Sequence, residues 1–253
     1  GIVPMIGLDS CLKSLNHSYK IGLSFEKSEL PPLKISSLFK NKSNNKVLTE
    51  FEAKKLINNH GIPIPKGEIV SSYDEALMVA EKLIYPVTVK ISSEDLSHKT
   101  ELSAVRINIQ NSRMLESACI DLLKIGPSLL VEKMIVGSIA ELIIGMNHDP
   151  IFGKFIVIGS GGVLVELLND SCSLLMPITR VDILSALSKL KVYPILQGYR
   201  GKPGGDIEAI IDSVMAIVKF ITADDIVELD INPLLVMEPG YGVIAVDALI
   251  KLN

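Results

Sequence analysis

The sequence contains no tryptophan, and only 5% of its 253 residues are aromatic. Proteins that stack bases or sugar rings expose aromatic side chains, so this scarcity argues against a base-stacking platform and a carbohydrate cleft. An excess of basic residues is also lacking, because 25 Lys and Arg stand against 29 Asp and Glu, for a net charge of −4. The chain has no basic field to attract nucleic acid, and we expect no nucleic-acid partner.

Cysteine is scarce as well, since Cys11, Cys119 and Cys172 are odd in number and far apart. They form neither a metal-binding spacing nor a disulfide framework, which predicts a reducing, cytoplasmic location. No uninterrupted apolar run approaches the ~20 residues of a membrane helix, so we expect no membrane association. Apolar residues nevertheless make up 48% of the chain, enough for a real core built on short, β-branched strands.

Residues 1–46 differ in composition from the rest. They predict a short helix near 8–17, followed by the Ser/Asn/Lys-rich run "SSLFKNKSNNK", which is typical of a linker. The chain starts with Gly rather than Met, so we expect it to be part of a longer polypeptide or a processed product. The sequence therefore predicts two parts, residues 1–46 and residues 47–253.

Helix and strand patterns fill the second part. Thr49 and Glu52 have the spacing of a capping box that opens the helix "EFEAKKLINNH", and Gly61 follows its end. Helices mixed with a run of antiparallel strands over about 140–178 predict an α+β fold rather than a doubly wound parallel sheet.

Three oxygen-bearing side chains lie near the C-terminus. Asp230 and Asn232 are two apart in a predicted strand, so they point to one face, and Asp247 ends a second strand. Pairing of the two strands would gather them into a set that suits Mg²⁺, which keeps water and phosphate as its other ligands. The alternative is that Asp230 and Asn232 begin a turn before Pro233.

Lys90 stands inside the apolar run "VTVKI". A buried and unpaired lysine would be strongly destabilising. Either the strand lies at a sheet edge, where the side chain reaches solvent, or the ammonium meets an anion such as phosphate.

Two acidic residues and one glycine-rich stretch lie near predicted strands. Glu132 and Glu141 could hold ribose hydroxyls or a metal, or they could lie on a solvated strand face. The run "GSGGV", residues 159–163, lacks the following helix that would complete a phosphate-binding nest.

His98 lies in the polar segment "SSEDLSHKTELSAV", which follows the strand of Lys90. A loop histidine is usually a solvated surface residue. The alternative is a nucleophile, because imidazole titrates near neutrality and its neutral form can attack phosphorus.

Several stretches together resemble one family, in the family's order and over roughly four-fifths of the chain. They are "LTEFEAKKLINNHGIPIP", "YPVTVKISSEDLSHK", "GMNHDPIFG", "GSGGVLVELLND", "PILQGYRGKPGGDIEAI" and "ELDINPLLV…AVDALI". The chain resembles the ATP-grasp domain of NDP-forming acyl-CoA synthetases, such as ADP-forming acetyl-CoA synthetase, and is more distantly similar to the β subunit of succinyl-CoA synthetase. Residues 1–46 resemble the tail of the upstream CoA-ligase domain and its linker.

The resemblance implies an ATP-grasp fold, in which two α/β subdomains grip a nucleotide. Lys90 would contact ATP phosphate, and Glu141 would reach the ribose region. Glu132, with the backbone from Val131 to Ile135, would hold the adenosine.

The resemblance also implies metal ligands and a nucleophile. Asn232 and Asp247 match the magnesium ligands, with Asp230 supporting them, and His98 matches the histidine of the mobile phosphorylated loop. The expected cofactors are therefore ATP or ADP and Mg²⁺.

The implied activity is that of an acid–thiol ligase: acid, CoA and ATP give acyl-CoA, ADP and phosphate through phosphohistidine. CoA and the small-molecule acid would bind to CoA-binding and ligase domains, either in the same longer chain or in an α subunit. We expect the assembly to be an oligomer.

Two departures favour a second hypothesis. Relatives have glycines where this chain has Ser103 and Ala104, and they tend to carry an arginine where it has Leu174. Both changes remove possible contacts to phosphate. They point to a degenerate nucleotide-binding or regulatory module, for instance one attached to a protein acetyltransferase. A stand-alone ATP-grasp ligase is disfavoured, because such ligases do not need the "SHK" loop.

Overall fold

The structure is a computed structural model that describes residues 7–25, 46–92, 104–162, 170–223 and 226–253. Two compact units divide the chain, residues 1–36 and residues 37–253. In the first unit the described residues form helix α1, Leu8–Phe25, which extends beyond the predicted 8–17. Its exposed apolar side chains recur at helical spacing along one face; they are Leu8, Leu12, Leu15 and Tyr19.

The second unit contains the remaining elements. In chain order they are β1 Lys46–Val47, α2 Glu50–Asn59, β2 Gly67–Val70, α3 Tyr73–Leu83, β3 Val87–Ile91, β4 Val105–Ile109, α4 Ser112–Leu122, β5 Leu129–Lys133, β6 Ala140–Asp149, β7 Gly153–Ser160, β8 Ser171–Leu175, α5 Arg180–Leu187, α6 Tyr193–Leu196, α7 Ile207–Ala223, β9 Ile226–Val236, β10 Val243–Ala245 and β11 Ala248–Leu252. Their mixture of helices and antiparallel strands confirms the predicted α+β class. None of the described helices is long and apolar enough to cross a membrane.

The larger sheet of the described residues is antiparallel and has the order β1-β11-β9-β6-β7-β8, with β10 also paired to β9. Its buried side chains pack with those of α2, α5 and α7 into one core. Strand β9 is central because it pairs with β6 on one side and with both β10 and β11 on the other. The C-terminal strands predicted to carry a metal site therefore lie in the middle of this sheet.

The smaller sheet has the order β2-β5-β3-β4 and is also antiparallel. Helices α3 and α4 cover one face, where their buried residues pack with Val87, Val89 and Val131. Because successive strand residues point to opposite faces, Lys90 and Glu132 lie on the other face. Strand β3 pairs with neighbours on both sides, so the structure excludes the edge-strand explanation for the lysine.

Helix α2 begins as the sequence predicts. Thr49 is its N-cap, and Thr49 and Glu52 form a complete capping box. Beyond the helix, Gly61 adopts a φ of +90°, a left-handed conformation that favours glycine. The helix buries Ala53 and Ile57 against the core of the larger sheet, which fixes the position of its first turn.

Candidate functional site

The ammonium of Lys90 lies where the smaller sheet approaches α2 and the strands of the larger sheet. Its Nζ is 2.5 Å from Glu50 Oε1 and 3.5 Å from Glu132 Oε2. The same Nζ donates to the backbone carbonyl of Val246, at 3.0 Å. The buried lysine therefore meets anions, as one of the two sequence interpretations required, but those in the structure are carboxylates of the chain itself.

A second lysine shares these partners. Lys54 is fully buried, and its Nζ lies 2.6 Å from Glu50 Oε1 and 2.5 Å from Glu132 Oε1. It also donates to the Val246 carbonyl at 3.2 Å. We call Lys54, Lys90, Glu50, Glu132 and Asp247 the ionic cluster.

Sequence reasoning missed Lys54 and Glu50, although one signal was available. The two residues are an i, i+4 pair in α2, which normally indicates a solvated helix face. Lys54, however, stands between Ala53 and Ile57, the residues that α2 buries in the core. A charged residue at a core-facing helical position needs a buried partner.

The predicted metal ligands Asn232 and Asp247 lie opposite each other. Strand β9 pairs Ile231 with Ala248 and Leu234 with Ala245. The same register continues across the gap between these pairs, which places Asn232 opposite Asp247. Directly opposed residues have Cβ atoms about 4.5–5.5 Å apart and share a face. The structure thus brings these two side chains together, beside the carbonyl that both lysines contact.

Asp230 points to the same face of β9 as Asn232, which is two residues further along, and it pairs with Leu249 and Gly145. A Cβ on Gly145 would lie 3.8 Å from Asp230 Oδ1, in ordinary contact. Asp230 and Asn232 lie within β9, so the turn alternative is replaced by a strand, whereas Asp247 lies in the short gap between β10 and β11 rather than at the end of a strand. Among the described residues no group of three or more His, Cys, Asp or Glu could hold a metal ion. A site here therefore depends on the amide oxygen of Asn232.

Burial and charge oppose each other throughout the ionic cluster. Burial disfavours the ammonium of Lys90, but the attraction of Glu50, Asp247 and Glu132 outweighs it and raises its pKa. Burial likewise disfavours ionised Glu50, yet Lys90 and Lys54 hold its pKa below the ordinary value. These two groups are therefore a charged pair at neutral pH.

The pKa values of the other two carboxyl groups of the cluster are raised rather than lowered. Burial raises the pKa of Asp247 to about 6, helped by repulsion from Glu50 and only partly offset by Lys90 and Lys54. Burial also raises the pKa of Glu132 in spite of the same two lysines. The two ammonium groups do not fully compensate three carboxylates, so the cluster favours an additional positive charge.

The residues predicted to hold adenosine and ribose are more dispersed. The side chain of Val131 packs under α3 and α4, away from the ionic cluster, and its backbone pairs with Glu68 and Val89. Ile135 lies beyond the end of β5, on the connection to β6. The side chain of Val131 therefore cannot face the same side as Glu132, and this residue could contact a ligand there only through its backbone.

Glu141 lies exposed at the start of β6, and the glycine-rich turn closes on it. Gly161 donates its N–H to the Glu141 carbonyl at 2.6 Å. A Cβ on Gly161 would approach the Glu141 backbone carbon at 2.8 Å, and a Cβ on Gly162 would lie 3.4 Å from Glu141 Oε2. The turn thus needs glycine for close approach of two backbones, a pairing that the sequence alone did not indicate.

Some predicted features lie outside the described residues: His98, Ser103 and residues 163–169 within the run of antiparallel strands expected over about 140–178. The connection that contains His98 leaves β3 just after Lys90 and returns at Val105, which pairs with Lys90. Both ends of this connection are therefore beside the ionic cluster. Leu174, half-buried on β8, packs against the larger core.

Comparison with known proteins covers the same part of the chain. The family model of the ATP-grasp domain matches residues 40–252. The β subunit of ADP-forming acetate–CoA ligase II from Pyrococcus furiosus is 35% identical over 216 residues, which cover 81% of this chain and 92% of that subunit. The ADP-forming acetate–CoA ligase of Methanocaldococcus jannaschii is 34% identical over an alignment that covers 96% of this chain but 38% of that protein.

A solved structure agrees in fold. Acetyl-coenzyme A synthetase 1 of Ca. Korarchaeum cryptofilum, in complex with coenzyme A and Mg-AMPPCP, has a TM-score of 0.70 and 33% identity, covering 82% of this chain and 93% of that chain. Its phosphohistidine segment points towards the nucleotide binding site. These similarities confirm the fold predicted from the sequence motifs. The chain therefore belongs to the ATP-grasp family and matches the ATP-grasp domain of ADP-forming acyl-CoA synthetases.

Proposed function

We propose that this chain is the nucleotide-binding part of an ADP-forming acyl-CoA synthetase. The enzyme would interconvert acid, CoA and ATP with acyl-CoA, ADP and phosphate. The β subunit from Pyrococcus furiosus and the Ca. Korarchaeum cryptofilum synthetase support this class of reaction. The observation that carries the proposal is the approach of Lys90 Nζ, from the smaller sheet, to within 3.0 Å of the Val246 carbonyl, next to Asp247 in the larger sheet.

The lysine and the two predicted metal ligands would act on the phosphates. Lys90 is charged, and its position beside Asp247 lets it neutralise a phosphoryl oxygen as the charge of the transferring group spreads. Glu132, with the backbone from Val131 to Ile135, would hold the adenosine. Glu141, next to the glycine turn, would reach the ribose.

The donor set fits Mg²⁺. Asn232 on β9 offers an amide oxygen, and Asp247, in the gap between β10 and β11, offers a carboxylate. Magnesium accepts few protein ligands beside water and phosphate. The raised pKa of Asp247 also fits, because burial leaves the charge of this carboxylate incompletely balanced. Asp230, two residues before Asn232 on the same strand face, would support the pair. When bound, the ion would supply further neutralisation of the phosphoryl oxygens.

His98 would carry the phosphoryl group. The described residues on either side of it, Ile91 and Val105, lie in β3 and β4 next to Lys90, which supports this role. In the ATP-forming direction, the N–P bond of phosphohistidine breaks as a terminal oxygen of ADP bonds to phosphorus. Lys90 would bind that phosphoryl group in transit.

The acyl chemistry needs further domains. We propose that residues 1–46 are the tail and linker of an upstream CoA-ligase domain and that 47–253 are the ATP-grasp domain. This chain corresponds to a whole β subunit in one relative and to 38% of a longer protein in another. CoA and the acid would bind to CoA-binding domains of the same longer chain or of an α subunit, in an oligomer. All three cysteines are free, which supports a cytoplasmic location.

Calorimetry with Mg-ADP and Mg-ATP tests the nucleotide site. We expect the wild-type chain to bind both, and Lys90→Met to weaken binding at least about tenfold because a phosphate loses its buried cation. Lys82→Met is the matched control, since Lys82 is an exposed lysine of the same subdomain, paired with Glu68. Absence of binding at millimolar nucleotide would refute the proposal and favour the degenerate regulatory module.

The shuttle needs a separate experiment on the complete enzyme. With Mg-ATP, acid-labile phosphate should appear on His98. Substitution His98→Ala should abolish both the label and turnover, whereas His148→Ala, in the β6–β7 hairpin, should preserve them. Full turnover by the His98→Ala enzyme would remove the histidine from the reaction.

A further inference from the structure

Glu50 holds a position that the proposed function does not explain. Its Oε1 lies 2.5 Å from Lys90 Nζ, the group that would bind a phosphate, and 2.6 Å from Lys54 Nζ. Glu132, by contrast, lies 3.5 Å from Lys90 and 2.5 Å from Lys54. The closest carboxylate to Lys90 is therefore Glu50, and Glu132 belongs mainly to Lys54.

Glu50 is also held in its charged form. It occupies the first turn of α2, directly after the N-cap Thr49, where the helix dipole favours a negative charge. The two lysines lower its pKa further, against the effect of burial. With 23% of its side chain exposed, against 3% for Glu132, it is the more accessible of the two carboxylates that contact Lys90. An incoming phosphate would therefore meet an ionised carboxylate already bound to the same ammonium.

We propose that Glu50 is a positioning residue that lowers nucleotide affinity by competing with phosphate for the ammonium of Lys90. The inference rests on the proposed function, because it assumes that Lys90 binds phosphate. When a phosphate binds, Lys90 turns from Glu50 towards it, and the carboxylate keeps its contact with Lys54. Glu50 would thereby limit how tightly ADP is held and would speed its release.

The presence of Lys54 makes this exchange feasible. A carboxylate abandoned in a buried site would be strongly disfavoured. Glu50 keeps the Lys54 contact at 2.6 Å, so it is not left without an ammonium contact. Lys54 also keeps Glu132 paired, which leaves Lys90 as the ammonium that can change partner.

Glu50→Gln tests the inference by the sign of its effect. Removal of one negative charge beside Lys90 should tighten Mg-ADP and Mg-ATP binding about fivefold, as expected for a unit charge several ångströms from a phosphate in a partly buried site. Adenosine, which carries no phosphate, should bind as it does to wild type. The ADP off-rate, measured by stopped flow, should fall by a similar factor. A residue with only a structural role would weaken binding of all three ligands.

Glu52→Gln is the matched control, because Glu52 lies two residues further along α2 and its carboxylate contacts Thr49. It should leave all affinities unchanged. If Glu50→Gln does not fold, Glu50→Asp keeps the charge but draws it back from Lys90, and a smaller gain in affinity is expected.

The outcomes separate the two proposals. If the wild-type chain binds no nucleotide, the proposed function and this inference are both overturned. Nucleotide binding by wild type with no gain in Glu50→Gln over Glu52→Gln would overturn the inference alone.

Discussion

Carboxylates in two regions of this molecule are stabilised in different ways. Asp206 precedes α7 and accepts N–H groups from Ala209, Gly240 and Gly242 at 3.1, 2.8 and 3.1 Å. Partial burial opposes its ionisation, but these backbone donors outweigh burial and lower its pKa. In the ionic cluster, burial outweighs the attraction of the lysines, and the pKa values of Asp247 and Glu132 rise.

The difference indicates what each carboxylate is for. Backbone amides are fixed by the fold, so a carboxylate that they satisfy stabilises a turn and has little capacity for a ligand. The carboxylates of the ionic cluster depend on side-chain ammonium groups, and their charge remains incompletely balanced. Perturbed groups of this kind concentrate at functional sites. The region around Asp206 therefore stabilises the fold, whereas the incompletely balanced charge around Asp247 supports the proposal that this region receives a cation.

The largest expected effect on stability comes from Lys54→Met. The side chain keeps its approximate length but leaves Glu132 without its 2.5 Å partner in a buried site. We expect the free energy of unfolding to fall by about 3–5 kcal/mol, measured by urea denaturation. Lys55→Met is the matched control at the next position, where the lysine is exposed over the Phe51 ring. Equal losses in the two variants would contradict a buried charge pair.

Asp247→Asn should instead raise the free energy of unfolding. Burial raises the pKa of this carboxyl from 3.8 to about 6, so the folded state retains a proton that the unfolded state has lost between those values. Wild-type stability therefore falls, relative to the variant, as pH rises through that window. Above pH 6 we expect the variant to be about 3 kcal/mol more stable.

Denaturation of both proteins from pH 3.5 to 7.5 checks this expectation. The advantage of the variant should vanish below pH 4, where both side chains are neutral. The same substitution should weaken Mg-nucleotide binding, because it removes the carboxylate proposed to bind the ion. Function and stability would then compete at this position. A variant less stable than wild type at pH 7 would show that the lysines compensate Asp247 after all.

Asp206→Asn should have the smallest effect. The amide can accept fewer of the three backbone N–H groups and lacks the charge, so we expect a loss of about 1 kcal/mol after allowing for solvent screening. The lowered pKa means that this stabilisation is present above the ordinary aspartate pKa and is lost as pH falls through the folded value. The difference in stability between variant and wild type should therefore shrink in acid. It does so for Asp247→Asn as well, but here the variant is the less stable protein at neutral pH. Thermal melts at pH 7 and pH 3 measure it, and an undiminished difference at pH 3 would contradict the role of charge.

Local signals in the sequence predicted much of the fold. Thr49 and Glu52 predicted the start of α2, because a capping box depends only on two residues three positions apart. The segment "VTVKI" predicted β3, and an anion beside Lys90 was one of the two alternatives that its apolar surroundings allowed. Helix α6, Tyr193–Leu196, was not predicted because four residues are too short for a periodic pattern.

The site was less accessible to sequence reasoning, because its contacts join distant parts of the chain. Glu50 lies 40 residues before Lys90 in the chain, and Glu132 lies 78 residues after Lys54. No local period links such pairs. The opposition of Asn232 and Asp247 was foreseeable, since a short connection between two strands limits the possible registers. The identity of the residues that neutralise Lys90 required the tertiary structure.

Lys54 has one further consequence for motion. It belongs to a helix packed on the larger sheet, while Glu132 belongs to the smaller sheet, so their contact joins the two sheets. A hinge rotation that separates the two sheets must stretch this contact and the one through Lys90. The rate of ligand exchange and the rate of domain opening would then depend on the same charged contacts, so a substitution that changes one rate would also change the other.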